Sequence, residues 1–534
     1  MRRLVAPLAL LMSCCVALAL PAHADETEEA PAPVHDFLDI VDPTGELGIP
    51  EFDAVAAKAQ EGDAEAMVLL GVYYAYTETA SHDIELAIRW YESAAELGNV
   101  DALVNLGRRY LDGDGVDADA SKAKDYYTQA ASLGSGDGAD GLGWIHEHGL
   151  GVPVDLEAAR TWYQRGAAYG AAWAMFNLGR LYKDGLGVDA DAAKAVELFT
   201  RAGELGNADA AYEVGMAHLV GFGVKAHDLT AVTWLTRAAE QDHGRAMLEL
   251  GSAYKAGTGT KKNASAASLW FARAAEQGIA EAQNELGLLY LEGDGVPKSE
   301  KRANELFLKA AKQGLALAQY NLAMSYRLGR GVTKNDATAV RILERAVRQE
   351  NELACVELGL MLLDGDGVKR DRNRARQLLE PAAERGDVVA LRTLGDMHLN
   401  GWGTASRDGP KALEYYVAAA RGGDIPSAAQ VGHLLYSGEG GVPRNLTVAV
   451  DWFRLAAEGG LPIAQRRLGV LLRDGAGVSR DLVEAYAWFT VAEANGDSRS
   501  GEARASLAPR LGRSELARAR TRASELQAGK AGTR

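Results

Sequence analysis

A glycine that returns at a fixed distance along the chain constrains the fold more than any other feature of this sequence. From Gly71 to Gly287 it recurs every 36 residues, Ala323 stands at the next step, and the series continues to Gly469 at intervals of 36 or 37 residues. With this period the chain contains twelve units over residues 63–496, ten of 36 residues and two of 37. A period of this size is typical of a solenoid, whose units bury their apolar sides only against one another.

Each unit is predicted to contain two helices. In the second unit Ala102, Leu106 and Tyr110 recur at a spacing of four, which places them on one face of a first helix, helix A. A G-x-G-V loop then breaks the helix, because glycine adopts turn conformations at little steric cost. A second helix, helix B, follows and ends at Gly134. The glycine inside helix A costs about 1 kcal/mol relative to alanine, so we expect it to permit close helix approach.

The repeated pattern is specific. It runs A-x-x-x-L-G-x-x-Y, then G-x-G-V, then A-x-x-W-Y-x-x-A-A-x-x-G, and all three parts recur in phase. This pattern strongly resembles the Sel-one-like repeat family, which is related to the tetratricopeptide repeats. The resemblance covers about four-fifths of the chain. It implies an all-α fold, a right-handed superhelical α/α solenoid of about twelve two-helix repeats, and a role as an adaptor that assembles protein complexes.

The N-terminus has the pattern of a secretory signal peptide over residues 1–24. Arg2 and Arg3 precede a short apolar run, and Ala22-His23-Ala24 is an A-x-A cleavage site. Lipoprotein anchoring at Cys14 is the minor alternative. Residues 25–49 are predicted to be a flexible acidic segment that contains proline, and Cys355, in a mostly apolar helical context, is predicted to be buried and inert.

The solenoid is expected to be closed at both ends. Residues 50–62 resemble a lone helix B that covers the first apolar face, and residues 497–534 suggest one or two closing helices with a tail. From residue 499 onward there are nine Lys or Arg against three Asp or Glu. This basic end is predicted to be a solvated charged cap, and contact with an acidic partner or anionic lipid remains the alternative.

Helix A of the third unit is predicted to be the weakest element. Four of its residues are glycines, namely Gly136, Gly138, Gly141 and Gly143. Because each glycine disfavours a helix by about 1 kcal/mol relative to alanine, we expect a frayed helix or a hinge at this point.

Charge and motifs argue against several classes of function. The net charge of −16 is a poor match for a nucleic-acid binder, which needs basic side chains against phosphates. No H-E-x-x-H, G-x-S-x-G or complete phosphate loop occurs, so no catalytic residue, metal site or cofactor is predicted. The loop carboxylates from Asp112 to Asp119 lack the closing glutamate of a calcium loop, and His146 and His148 point to different helix sides.

What remains is binding of a protein on the inner, concave surface. By analogy with tetratricopeptide repeats, helix A lines that surface at offsets −6, −3, +1 and +4 from the framework glycine. Around Gly179 these offsets, with one residue from each neighbouring unit, select large aromatic and basic side chains that have the composition of an interaction hot spot. They are Trp144, Trp173, Phe176, Arg180, Lys183 and Tyr212. The alternative is that these side chains merely fill a tight superhelix.

The sequence therefore predicts an exported, non-catalytic scaffold that binds partner proteins along the concave face of the solenoid. We expect it in the periplasm, in a bacterial envelope complex or as a virulence or signalling factor, with envelope association and without a transmembrane helix in the mature chain. The main alternative is a cell-envelope enzyme, or a protein that binds glycan or exopolysaccharide, with its site in the groove. An adaptor of the endoplasmic-reticulum lumen is a third.

Overall fold

The computed structural model describes residues 49–76 and 83–531, and the regular structure within these ranges is entirely helical. The predicted signal peptide and, apart from Ile49, the predicted flexible segment 25–49 lie outside the described residues. In chain order the α-helices are α1 (Ile49–Gln60), α2 (Ala64–Tyr76), α3 (Ile84–Glu96), α4 (Val100–Asp112), α5 (Ala120–Ser132), α6 (Gly136–His148), α7 (Leu156–Ala168), α8 (Ala172–Asp184), α9 (Ala192–Glu204), α10 (Ala208–Val220), α11 (Asp228–Glu240), α12 (Gly244–Ala256), α13 (Ala264–Glu276), α14 (Ala280–Glu292), α15 (Glu300–Lys312), α16 (Ala316–Leu328), α17 (Asp336–Val347), α18 (Glu352–Asp364), α19 (Arg372–Glu384), α20 (Val388–Asn400), α21 (Gly409–Arg421), α22 (Ile425–Ser437), α23 (Leu446–Glu458), α24 (Pro462–Asp474), α25 (Leu482–Ala494), α26 (Ser498–Leu507) and α27 (Arg513–Ala531).

From α2 onward the helices form pairs that pack side by side, and within each of the two compact units described below each pair packs on the next. In each repeat the even-numbered helix is helix A and the odd-numbered helix that follows is helix B, so that repeat one is α2 and α3 and repeat twelve is α24 and α25. The chain forms two compact units: one ends at Gln241, after repeat five, and the other begins at Asp242, with repeat six. This architecture confirms the predicted all-α, α/α solenoid of twelve repeats.

Local hydrogen bonds explain where the helices begin. Helix α5 begins after Asp119, whose Oδ1 accepts hydrogen bonds from the backbone N–H groups of Ser121 and Lys122 at 3.0 and 3.1 Å. Helix α4 begins after Asn99, whose Oδ1 accepts from the N–H of Ala102 at 3.0 Å. Such capping satisfies donors that have no partner within the helix. Asp119, one of the loop carboxylates considered for calcium, therefore has a structural role.

The glycine loop between the two helices of a repeat has two functions. In repeat four α8 ends at Gly185, whose left-handed conformation (φ 70°) lets its N–H donate to the Leu181 carbonyl. Gly187 is also left-handed (φ 65°), and a Cβ added to it would lie 2.6 Å from the Cβ of Leu156, the first residue of helix B in the preceding repeat. The loop thus ends helix A and lies directly on the neighbouring repeat.

The framework glycine of helix A marks the closest approach of the two helices in a repeat. A Cβ on Gly287 would lie 2.6 Å from Cε1 of Phe307, a ring that is completely buried. This contact confirms that the glycine permits close approach. In repeat six the equivalent buried ring is Phe271, whereas Trp270 before it is partly exposed, with the guanidinium of Arg273 4.8 Å from its ring centre. Where Ala323 replaces the glycine, the same position of helix B is a leucine.

The predicted fraying of helix A in the third repeat is wrong. Helix α6 is a full helix of 13 residues, capped by the Ser135 hydroxyl, which accepts from the N–H of Gly138 at 3.0 Å. A Cβ on Gly136 would lie 2.7 Å from that of Ala171, and one on Gly141 would lie 2.7 Å from the Tyr127 ring. The glycines are contact points with neighbouring helices, so packing against those helices compensates for the poor helix propensity.

Further helices lie at both ends of the repeats. Helix α1 packs on repeat one, and the ring centres of Phe52 and Tyr73 are 4.8 Å apart. Beyond repeat twelve, α26 and α27 both pack on α25, where Leu507 and Ala519 are buried. Part of the basic charge at this end is neutralised within the chain, because Arg522 Nε lies 3.0 Å from Glu484 Oε2.

Candidate protein-binding surface

The six predicted binding residues lie on three consecutive helices A of one compact unit. On α8 the neighbouring positions Ala174, Leu178 and Leu181 are buried, whereas all six predicted residues are partly exposed. We call the surface that these six residues form the helix A surface. Its residues are Trp144 on α6, Trp173, Phe176, Arg180 and Lys183 on α8, and Tyr212 on α10.

Two aromatic side chains of α8 form a pair at the centre of this surface. The rings of Trp173 and Phe176 meet edge to face with their centres 5.7 Å apart. Phe176 also lies 5.7 Å from Phe199 of α9 and packs against the buried core of the unit. Phe176 therefore fills space, as the alternative interpretation expects, and Trp173 is the member of the pair better placed to meet a partner.

On the preceding helix A, Trp144 stacks on His148. Their ring centres are 3.8 Å apart, and His148 Nδ1 lies 3.0 Å from the Trp144 carbonyl oxygen. This stacking holds the indole in one orientation before any partner arrives. A preorganised aromatic side chain loses less conformational entropy on binding.

The two basic residues of α8 each form an ion pair with a neighbouring repeat. Lys183 Nζ lies 2.8 Å from Glu213 Oε2 of α10, next to Tyr212, and Arg180 Nη2 lies 3.6 Å from Glu147 Oε1 of α6. The structure therefore gives both cations a partner inside the unit. Their role in binding another protein stays a prediction.

The Lys183 pair belongs to a recurring contact between helices A. The cation stands four residues after the framework position, and the glutamate stands two residues before the framework glycine of the next repeat. The same registers are joined by Lys255 and Glu285, 2.6 Å apart, and by Arg327 and Glu357. This recurrence favours a role in stacking the repeats.

A polar network that sequence inspection missed lies directly beside the helix A surface. Asn177 Nδ2 donates to Asp140 Oδ1 at 3.0 Å, and Arg180 Nη1 donates to Asn177 Oδ1 at 3.2 Å. Arg180 also pairs with Glu147, whose Oε2 accepts a hydrogen bond of 2.6 Å from the Tyr163 hydroxyl. We call these five residues the Asp140 network. It joins α6, α7 and α8, and thus repeats three and four.

The network contains a carboxyl group with unusual acidity. Burial raises the pKa of Asp140 to about 7, and the hydrogen bond from Asn177 lowers it by a smaller amount. The carboxyl group is buried although the residue keeps some exposed surface. Burial also raises the pKa of the Tyr163 hydroxyl well above its usual value. An enzyme would need converging carboxylates of this kind, but here each carboxylate already accepts hydrogen bonds from a neighbouring helix.

One sequence signal could have indicated this network. Asn177 stands two residues before its framework glycine, and Asp140 stands three residues before the previous one, 37 residues away. The same registers are joined by Asn321, whose Nδ2 donates to Asn284 Oδ1 at 2.8 Å. An asparagine two residues before the framework position, with a polar residue 37 positions earlier, accompanies a hydrogen bond between adjacent helices A in both cases.

Other candidate sites have simpler descriptions. Over residues 49–76 and 83–531, no group of three or more His, Cys, Asp or Glu side chains is arranged to hold a metal ion. Cys355 is only partly buried, which corrects the expectation of a buried thiol, and this partial burial raises its pKa. A search of the same ranges finds no helix whose length and apolar character would let it cross a membrane.

Comparison with known proteins identifies the repeats. The Sel1 repeat family model matches twelve segments: residues 64–99, 100–135, 137–168, 174–207, 208–243, 244–279, 280–315, 316–351, 353–387, 388–424, 425–461 and 462–497. Among curated proteins, none matches the chain significantly.

Two solved structures with the same kind of repeat resemble this chain. One is a protective antigen present in uropathogenic Escherichia coli strains, with 30% identity, a TM-score of 0.73, and coverage of 82% of this chain and 94% of the antigen. The other is a Sel1 repeat protein from Oxalobacter formigenes, with 30% identity, a TM-score of 0.40, and coverage of 65% and 98%. With twelve consecutive matches over most of its length, the chain belongs to the Sel1 repeat family.

Proposed function

We propose that this protein is an exported, non-catalytic scaffold that binds a partner protein on the helix A surface of repeats three to five. Solenoids of this family typically mediate protein–protein interaction, and the family is generally non-catalytic. The observation that carries the proposal is the Trp173–Phe176 pair. The partly exposed indole of Trp173 contacts the ring of Phe176 edge to face, and Phe176 packs against the core. Such rigid, half-buried aromatics are the usual centres of protein interfaces.

The surroundings of Trp173 support this proposal. Glu147 and Glu213 on the flanking helices tie Arg180 and Lys183 to the neighbouring repeats, so the three helices present one stable surface. A partner that buries the indole gains apolar contact while little of the surface has to be ordered. The protein therefore binds its partner with a surface that is already formed and rigid before binding.

Export to the bacterial envelope is part of the same proposal. The signal-like residues 1–24 support it, as does the likeness to a protective antigen present in uropathogenic Escherichia coli strains. Alkaline phosphatase fused after residue 60 tests it, because this enzyme is active only after export. An inactive fusion with the leader intact would contradict the export proposal.

Site-specific photo-crosslinking tests the binding surface. The full chain carries a benzoylphenylalanine at Trp173 in one strain and at Trp270, a partly exposed tryptophan of helix B in repeat six, in a control strain. We expect a defined crosslinked partner from the Trp173 position alone. Identical products from both positions, or none from Trp173, would contradict the surface.

A substitution then measures the contribution of the indole. Trp173→Ala should weaken binding of the crosslinked partner at least ten-fold, while Trp270→Ala leaves the affinity unchanged, as determined by calorimetry with the purified partner. Conversion of an envelope glycan or other small substrate by the purified protein would instead favour the enzyme alternative.

A further inference from the structure

A large apolar residue is exposed at the same register in each of the first four repeats. It directly follows the last residue of helix B, at the C-cap position, and its exposed fraction is 50–58% in all four cases. We call these residues the apolar ladder. They are Leu97, Leu133, Tyr169 and Leu205.

The fold does not need an apolar residue at this register. In the other eight repeats the position holds Gln241, Gln277, Gln313, Gln349, Arg385, Gly422, Gly459 and Asn495. Where it is glutamine, the side chain can link repeats: Gln277 Nε2 donates to the Asp242 carbonyl at 2.7 Å, and Gln313 Nε2 donates to Gln283 Oε1 at 3.0 Å. Apolar residues repeated on four consecutive repeats, and exposed to water, mark an interaction surface.

The ladder is bordered mainly by acidic residues. Within four residues of its members there are five carboxylates and two arginines, which are Glu96, Asp101, Asp137, Glu204, Asp209, Arg165 and Arg201. One of the two arginines is engaged, since Arg165 Nη2 donates to the Ala131 carbonyl at 3.2 Å and its guanidinium stacks on Tyr169. The pKa of Asp101 is raised mainly by burial and secondarily by repulsion from the Glu65 carboxylate. A cationic partner relieves this repulsion.

The spacing of the ladder suits a helix. Each ladder residue stands three residues before helix A of the next repeat, and helices A of adjacent repeats pack on one another, as α4 packs on α6 and α6 on α8. Packed helices lie roughly 8–10 Å apart, so four positions span about 24–30 Å. A helix that rises 1.5 Å per residue covers this length with about 16–20 residues, and one apolar stripe on it meets all four positions.

We propose that the apolar ladder is a second docking surface of this protein, separate from the helix A surface, and that it binds a basic amphipathic helix of a partner protein. The apolar stripe of that helix lies on the four ladder residues, and its lysine or arginine side chains face the surrounding carboxylates. The proposal goes beyond the scaffold function above, because it adds a second site and states the chemistry of its occupant.

A peptide-binding experiment on the full chain tests this proposal. The probe is a fluorescein-labelled helical peptide of 20 residues with leucine on one face and lysine on the other, and the comparison peptide has glutamate in place of lysine. The ladder variant carries Leu97→Gln, Leu133→Gln, Tyr169→Gln and Leu205→Gln, since glutamine is the residue of repeats five to eight at this register. The control variant carries Leu229→Gln and Leu269→Gln, which alter leucines of similar exposure elsewhere.

We expect the lysine peptide to bind wild type and control equally, to bind the ladder variant at least ten-fold more weakly, and to dissociate as salt is added. The glutamate peptide should bind wild type at least ten-fold more weakly than the lysine peptide.

The proposal is overturned if the lysine peptide fails to bind wild type, if both peptides bind equally, or if the ladder variant retains full affinity. Binding of phosphatidylglycerol vesicles without peptide binding would also overturn it. If circular dichroism shows loss of helix in the ladder variant, the single variants Leu133→Gln and Leu205→Gln decide, and each should weaken binding about three-fold.

Discussion

The close approach at the framework glycine can be tested in repeat seven with Gly287→Ala. The new Cβ would lie 2.6 and 2.9 Å from two ring carbons of Phe307, whereas non-bonded carbons prefer about 3.5–4.0 Å. Because the ring is completely buried, it cannot swing into solvent. Overpacking costs about 1–3 kcal/mol, and a contact this short against a ring that cannot move belongs to the upper part of that range, about 2–3 kcal/mol. The better helix propensity of alanine offsets about 1 kcal/mol. We expect a net loss of about 1–2 kcal/mol in the stability of this repeat.

Repeat eight shows how the loss should be repaired. There Ala323 stands opposite Leu343, and both residues are completely buried. The double variant Gly287→Ala, Phe307→Leu recreates this pair in repeat seven. Phe307→Leu alone should cost about 1 kcal/mol, and the double variant should be about 1–2 kcal/mol more stable than the sum of the single changes predicts.

Native-state hydrogen exchange is the suitable assay, because a solenoid opens locally and its melting is not a single two-state step. Peptides from α14 and α15 report on the substituted repeat, and peptides from α20 and α21 serve as an internal control. Unchanged exchange in Gly287→Ala would refute the role of the glycine, and strictly additive effects in the double variant would refute the pairing with Phe307.

Three further predictions concern single side chains. Burial holds the pKa of Asp140 at about 7, above the value of about 4 in an unfolded chain, so the folded state binds the extra proton and stability falls as pH rises from about 4 to 7. Asp140→Asn should remove this fall in stability, so that the melting temperature of the variant exceeds that of wild type by the largest margin above pH 7. Melting temperatures of variant and wild type that change in parallel with pH would contradict this. Asp371→Ala removes the capping carboxylate that accepts a hydrogen bond of 3.0 Å from the N–H of Arg374. This change should lower stability by about 1 kcal/mol and speed hydrogen exchange only in the first turn of α19. Unchanged hydrogen exchange in that turn would argue against the cap. Lys255→Met breaks the partly exposed ion pair with Glu285. In urea unfolding the variant should be less stable than wild type by no more than about 1 kcal/mol, and this difference in stability should vanish at high salt. A difference that persists at high salt would show that packing of the lysine side chain matters more than its charge.

The predictions made from sequence succeeded where the physics is local. Helix A ends at the predicted glycine loop, as at Gly185, because a glycine in the left-handed conformation ends a helix locally. The capping residues at the helix starts, such as Asn99 and Asp119, were not predicted, although their effect is equally local. The residues of the helix A surface were selected by analogy with tetratricopeptide repeats, and in the structure Trp173 and Tyr212 are partly exposed. Whether these side chains contact a partner depends on a second molecule, so that part stays a proposal.

The weakest sequence inference was the frayed helix in repeat three. Helix propensity describes only the glycine's own backbone, whereas Gly136 packs against Ala171, the residue before α8, and Gly141 packs against Tyr127 of α5. Tertiary packing of this kind routinely outweighs a propensity of about 1 kcal/mol per residue.

The sequence by itself determined that this chain is a row of helix pairs, that there are twelve of them, and that a glycine loop ends the first helix of most pairs. Only the tertiary structure decided which side chains meet across repeats: the Asp140 network, the ion pairs such as Lys183 with Glu213, and the exposure of the apolar ladder. The physical reason is that the period sets which residues share a register, whereas the distance between residues 30 to 37 positions apart depends on how closely and at what angle neighbouring helices pack.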